Sequence, residues 1–138
     1  MNKDSIKKCI KEPIVPGNFA KVPMVMQMEA LECGAASLTM VLAYYNKWIP
    51  LEEVRSDCGV SRDGSNLDAI VSLAEAYGLE SHAYSMDSEE VKNEATSPSI
   101  LFWDNNHFVV FDGYKNGKYK LNNPAEGIVE LSKEEFES

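Results

Sequence analysis

The stretch that decides the fold of this chain is Gln27-Met28-Glu29-Ala30-Leu31-Glu32-Cys33-Gly34-Ala35-Ala36-Ser37. Cys33 opens an apolar run that reaches Tyr45, contains neither proline nor charge and is rich in strong helix formers. The run predicts a helix that is buried nearly all round, with Cys33 in or just before its first turn. Unpaired N–H groups and the positive end of the helix dipole lie at that point, and both favour a thiolate.

A thiol in this position has two interpretations. A cysteine in an apolar helix is more often a small core residue than a nucleophile. A nucleophile also needs a base, a group that orients the base and donors for an oxyanion. The chain contains two histidines, and His107 is the better candidate because it opens an apolar strand directly after a polar turn, whereas His82 lies in the middle of a predicted strand. A histidine at a strand start is also a common surface residue.

The hairpin signal Asn116-Gly117 brings a second polar side chain near this histidine. With the turn there, residues 107–109 and 123–125 come roughly opposite each other. The carboxamide oxygen of Asn123 can then accept a hydrogen bond from the His107 ring and fix its tautomer. Asn before Pro is equally common as turn chemistry, so this signal alone leaves both interpretations open.

Gln27 stands six residues before Cys33 and can supply a side-chain N–H to an oxyanion hole, alongside the Cys33 backbone N–H. The other two cysteines have simpler interpretations, Cys9 as incidental and Cys58 as a packed helix residue. Taken jointly, the candidate site residues have the chain order of a papain-type arrangement. They are Gln27, Cys33, His107 and Asn123.

Composition narrows the class of protein further. The 138 residues form one domain of ordinary globular composition, with 44% hydrophobic and 25% charged residues. A net charge of −9 argues against nucleic acid or an anionic membrane surface as a partner. Neither a secretory signal nor an apolar run of membrane-span length is present in the sequence. Three widely spaced cysteines fit a reducing compartment, and no CxxC motif or histidine cluster suggests zinc.

Periodicity and turn residues predict an α+β fold, with N-terminal helices packed on a C-terminal antiparallel sheet. The helices are expected on one side of that sheet. Residues 1–21 read as an irregular N-terminal arm, and residues 22–138 as the domain. The predicted helices cover residues 35–45, 51–58, 67–77, a short segment from 88, and a terminal turn after 132. The predicted strands cover residues 79–84, 99–103, 107–114, 118–121 and 128–131.

Several separate motifs resemble the C39 peptidase family, the N-terminal protease domains of bacterial peptidase-containing ABC transporters. They span residues 22–131 and agree in order and spacing. The motifs are Val22-Pro23, Gln27-x5-Cys33-Gly34-Ala35-Ala36, the loop 59–67, His107-Phe108-Val109-Val110 and Asn123-Pro124-Ala125. The resemblance implies a papain-like cysteine protease that removes the leader of a bacteriocin- or lanthipeptide-type precursor. It would cut directly after a double-glycine-type motif such as Gly-Gly or Gly-Ala.

By position, the resemblance makes Cys33 the nucleophile, His107 the base and Gln27 the oxyanion donor. Asn123 occupies the orienting position, where the family usually has Asp, and Asn serves that role in papain. The resemblance further implies a leader bound as an amphipathic helix, no cofactor and a place on the cytoplasmic side of the bacterial plasma membrane. Transmembrane and ATPase domains normally follow in the family, so we expect this chain to be an excised or free-standing peptidase domain.

Two other functions remain compatible with the sequence. C39-like domains without the cysteine hold leader peptides and do not cut, although both Cys33 and His107 are present here. A papain fold can also act as an amidase or an acyl transferase on a different peptide. Mass spectrometry after incubation with Gly-Gly-containing and control peptides distinguishes these functions from leader removal.

Overall fold

The computed structural model describes residues 13–28, 32–58, 67–79, 81, 84–103 and 107–137, and five helices and four strands lie in these ranges. The helices are α1 (Cys33–Tyr44), α2 (Leu51–Cys58), α3 (Leu67–Ala76), α4 (Ser88–Glu94) and α5 (Lys133–Glu137). The strands are β1 (Ser99–Trp103), β2 (His107–Lys115), β3 (Lys118–Asn123) and β4 (Gly127–Leu131). The α+β architecture predicted from the sequence, with N-terminal helices and a C-terminal sheet, is confirmed.

The four strands form one antiparallel sheet in chain order. The turn between β2 and β3 contains Asn116 with a φ of 55° and Gly117 with a φ of 79°. Positive φ at both central residues is what a two-residue hairpin turn requires, and Asn-Gly adopts it at the lowest cost. The hairpin predicted from these two residues is therefore confirmed.

The sheet carries a hydrophobic core on each of its faces. On one face Val110 packs with α1, α2 and α3 residues. On the other, Val109 and Phe111 pack with Val91 of α4 and Phe136 of α5. The prediction that the helices lie on one side of the sheet is wrong for α4 and α5. Strand β2 is apolar on both faces, and each face of such a strand must be covered.

Residues 13–20 lie against the sheet. Ile14 and Ser97 exchange two backbone hydrogen bonds of 2.7 and 2.9 Å, and the Ala20 N–H donates to the Asp112 carbonyl at 2.7 Å. A Cβ on Gly113, whose φ is 134°, would lie 2.0 Å from the Asn18 carbonyl oxygen, so this close approach requires glycine. Residues 1–12 lie outside the described part of the chain, and the boundary between arm and domain stays a prediction.

The segment after α3 differs from the prediction. Residues 79, 81 and 84 lie outside any strand, so the predicted strand 79–84 is wrong at these positions, and residues 80, 82 and 83 fall outside the described ranges. Leu79 instead closes α3, because its N–H donates to the Ala74 carbonyl at 3.0 Å after Gly78 turns the chain with a φ of 96°. In the ranges that the structure describes, no helix is long and apolar enough to cross a membrane.

Candidate active site

Cys33 is the first residue of α1, as the sequence predicted. All twelve residues of this helix are buried, and Cys33 itself is 8% exposed. Most of its residues are good helix formers, and burial on every side fixes the helix between the other helices and the sheet. The thiol therefore stands at the positive end of a rigid helix, where an anion is stabilised.

The thiol reaches the start of β2. The backbone N–H of Phe108 donates to Cys33 Sγ at 3.4 Å. Phe108 directly follows His107, the first residue of that strand. The structure thus brings together the helix start and the strand start that carry the candidate nucleophile and the candidate base, 74 positions apart in the sequence.

The imidazole of His107 is paired with a carboxamide. Its Nε2 lies 2.8 Å from Asn123 Oδ1, and this oxygen also accepts the Ala125 N–H at 3.0 Å. A backbone N–H needs an acceptor, which identifies the Asn123 atom as oxygen, and an oxygen that only accepts requires the proton on Nε2. In the neutral ring Nδ1 is then the basic nitrogen. The predicted contact between residues 107 and 123 is present.

Gln27 lies at the turn that follows β3. Its backbone N–H donates to the Pro124 carbonyl at 2.9 Å, one residue beyond Asn123. The next residue, Met28, donates its backbone N–H to Glu32 Oε2, also at 2.9 Å. The main chain that carries Gln27 is therefore attached to both the turn after Asn123 and the residue before Cys33. The oxyanion role of the Gln27 side chain stays a prediction.

Two residues near the site were missed by the sequence reasoning. Glu32 is 1% exposed and pairs with Arg55 of α2. Asn122 is fully buried and donates through Nδ2 to the Val22 carbonyl at 3.0 Å, which holds the segment leading to Gln27 on β3. The alternation of β3 provided no signal for Asn122, because it places Asn122 on the same face as Lys120. The pairing of Asn122 with the buried Val110 of β2 is what puts this position against the core. For Glu32 the only local signal was an acidic residue before an apolar helix.

The other polar candidates from the sequence cannot be located in the described part of the chain. The side chains of Cys9, Cys58 and His82, and the loop 59–66, lie outside the described residues. Among the residues that are described, no group of three histidine, cysteine, aspartate or glutamate side chains could hold a metal ion.

A thiol at the start of a buried helix, beside a strand whose first residue is an imidazole paired with a carboxamide, is the arrangement of a papain-like cysteine peptidase. The comparison with known sequences identifies the family of peptidase. The chain belongs to the peptidase C39 family, whose family model matches residues 21–138.

The chain is similar to much longer curated proteins. It is 38% identical over 116 residues to the colicin V secretion/processing ATP-binding protein CvaB of Escherichia coli. It is 37% identical over 116 residues to the probable microcin-H47 secretion/processing ATP-binding protein MchF of the same species. Each match covers 84% of this chain and 16% of the relative, so the chain spans only a small part of these proteins.

Solved structures share the fold. A double glycine motif protease from an AMS/PCAT transporter, crystallised in complex with the leader peptide, is 55% identical with a TM-score of 0.88. That match covers 92% of this chain and 90% of the solved one. The peptidase domain of Streptococcus ComA, 22% identical, has a TM-score of 0.73 over 86% of this chain and 90% of that domain. The second likeness shows the fold.

Proposed function

We propose that this chain is a cysteine endopeptidase that removes the leader of a bacteriocin-type precursor by cutting after a double-glycine-type motif. The observation that carries the proposal is the single cluster formed by the Phe108 N–H contact to Cys33 Sγ and the hydrogen bond between His107 and Asn123. Cys33 is the nucleophile, His107 the general base and acid, Asn123 the orienting residue and Gln27 the oxyanion donor.

In the acylation step the Cys33 thiolate attacks the carbonyl carbon of the second small residue, and the carbonyl oxygen becomes an oxyanion. Hydrogen bonds from the Gln27 side chain and the Cys33 backbone N–H stabilise that charge. The His107 imidazolium, which received the thiol proton, donates it to the departing amine. The C–N bond breaks, the peptide leaves, and the leader stays attached to Cys33 as a thioester.

In the second step water attacks the thioester, and His107 takes a proton from it. The C–S bond breaks, the leader leaves as a carboxylic acid, and the thiol is restored. Asn123 contributes throughout by keeping the proton on Nε2, so that Nδ1 is the nitrogen that exchanges protons with the sulfur.

The relatives support a place for this activity within a membrane transporter. Secretion/processing ATP-binding proteins are much longer than the match, which supports a peptidase domain that works beside transmembrane and ATPase domains. In that setting residues 22–138 form the peptidase domain on the cytoplasmic side of the membrane, and the leader peptide is its partner. A net charge of −9 offers no general attraction to acidic leaders, so apolar contacts along one face of a leader helix would supply the affinity.

The test incubates the purified chain with a leader–core peptide containing Gly-Gly and with a matched peptide in which both glycines are replaced by valine. Mass spectrometry should find a cut directly after the second glycine in the first peptide and none in the second. Binding without a cut would favour a leader-binding module. A product altered at an amide or acyl group would favour another papain-fold activity.

A variant series assigns the nucleophile. Cys33→Ala should abolish cleavage and leave leader binding intact, because it removes the attacking sulfur and little volume. Cys9→Ala and Cys58→Ala are the matched controls and should keep most of the activity. Substantial turnover by Cys33→Ala would show that another group is the nucleophile.

A further inference from the structure

The carboxylate of Glu32 joins two parts of the chain. Its Oε2 accepts the Met28 backbone N–H at 2.9 Å, and its Oε1 pairs with the guanidinium of Arg55 on α2. The side chain is 1% exposed, whereas that of Arg55 is 36% exposed. Each carboxylate oxygen therefore has a separate partner, one on the segment before α1 and one on the neighbouring helix.

The Met28 contact restrains Gln27. The backbone N–H groups of Gln27 and Met28 donate to different acceptors, the first to the Pro124 carbonyl and the second to the Glu32 carboxylate. Pro124 follows Asn123, and Glu32 precedes Cys33. The backbone at Gln27 is thus tied both to the nucleophile helix and to the turn beside the His107–Asn123 pair.

The charge of Glu32 also has a defined counterpart. A buried carboxylate one residue before Cys33 would oppose a thiolate at the helix start if it stood alone. Arg55 is always protonated, and its partly exposed guanidinium balances the charge of this carboxylate. The pair can therefore hold the Met28 N–H without adding net negative charge beside the nucleophile.

We propose that Glu32, supported by Arg55, is a positioning residue of the oxyanion hole that acts through Gln27. This inference rests on the proposed function, because it requires Gln27 to stabilise the oxyanion of a peptide cleaved by Cys33. Glu32→Gln breaks the arrangement with little change in shape. One amide oxygen can serve only one of the two partners, and the amide NH₂ would face a donor of Arg55 or the Met28 N–H.

The experiment is a double-mutant cycle on the cleavage of a Gly-Gly leader peptide, with Glu32→Gln, Gln27→Ala and the double variant. Gln27→Ala should lower kcat about 100- to 1,000-fold. Glu32→Gln should lower kcat about 10-fold or more and leave KM nearly unchanged, because the lost interaction is made in the transition state. The double variant should be no more than about 3-fold slower than Gln27→Ala alone, because Glu32 then has no oxyanion donor left to position.

Glu53→Gln is the matched control, since it removes the same charge from an exposed position on α2 and should leave kcat unchanged. If Glu32→Gln does not fold, Glu32→Asp replaces it in the cycle, because it keeps the charge and withdraws the carboxylate by one methylene. Effects that multiply in the double variant, or an effect on KM alone, would overturn the positioning role. A wild-type chain that cuts no Gly-Gly peptide would instead refute the proposed function, and the positioning role would fall with it.

Discussion

Asp112 offers a sharp test of the fold, because its carboxyl group is buried on β2 with 1% exposure. Neither carboxyl oxygen has a hydrogen-bond partner within the described ranges. Burial raises the pKa of Asp112 from 3.8 to about 8, although the nearby Lys120 acts in the opposite direction. At neutral pH the folded protein therefore holds this group protonated, whereas the unfolded chain ionises it.

This difference makes the stability fall as the pH rises. Below pH 3.8 both states are protonated, and the contribution of Asp112 to stability is fully present. Between 3.8 and about 8 the unfolded chain has lost a proton that the folded state retains, so each pH unit lowers the free energy of unfolding by about 1.4 kcal/mol. Across two pH units within this window, from about 5.5 to 7.5, the loss is roughly 2.7 kcal/mol. Above the folded pKa the loss is complete.

Asp112→Asn removes the titration and keeps the shape. Between about pH 5.5 and 7.5, the free energy of unfolding of the wild type minus that of the variant should decrease by roughly 2.7 kcal/mol. The wild type therefore becomes less stable relative to the variant as the pH rises. Urea unfolding followed by tryptophan fluorescence at three pH values measures this difference. Subtracting the variant cancels all other titrating groups, which isolates Asp112.

Asp68→Asn is the control, because Asp68 is exposed on α3 and its substitution removes a surface carboxylate in place of a buried one. The decrease expected for Asp112→Asn should be absent from this control. A constant difference for Asp112→Asn as well would show that Asp112 is ionised or solvated in the folded protein. If the free energy of unfolding of the wild type rose with pH relative to that of Asp112→Asn, the reasoning about the burial of Asp112 would be refuted.

Substitutions at two further residues test the site and its support. Asn123→Ala should lower kcat by about one to three decades with little change in KM, because the His107 ring loses the oxygen that orients it. Asn123→Asp should stay active. Steady-state kinetics check both variants, and an inactive but folded Asp variant would contradict the orienting role. Asn122→Ala should lower the free energy of unfolding by about 1–3 kcal/mol, because the Val22 carbonyl loses its buried donor. Urea unfolding measures that loss, and unchanged stability would show that the contact contributes nothing.

The local sequence was enough to predict the central helix, the β2–β3 hairpin and the contact between His107 and Asn123. The uninterrupted apolar run after Cys33 allowed only a buried helix, and Asn116-Gly117 allowed a two-residue hairpin at little cost. The hairpin in turn brought His107 within reach of Asn123. Each of these features depends on neighbours in the sequence or on one short turn, so a single chain is enough to predict them.

Other features depended on contacts between distant residues. The alternation of residues 79–84 is typical of a strand, but the Leu79 N–H is used to close α3 instead. The pairing of Glu32 with Arg55 joins residues 23 positions apart, and the burial of Asp112 depends on where residues 18–20 cross β2. These features depend on which surfaces pack against each other, and the packing of the whole chain decides this. The free energy of a buried charge or N–H group depends on all the groups that surround it.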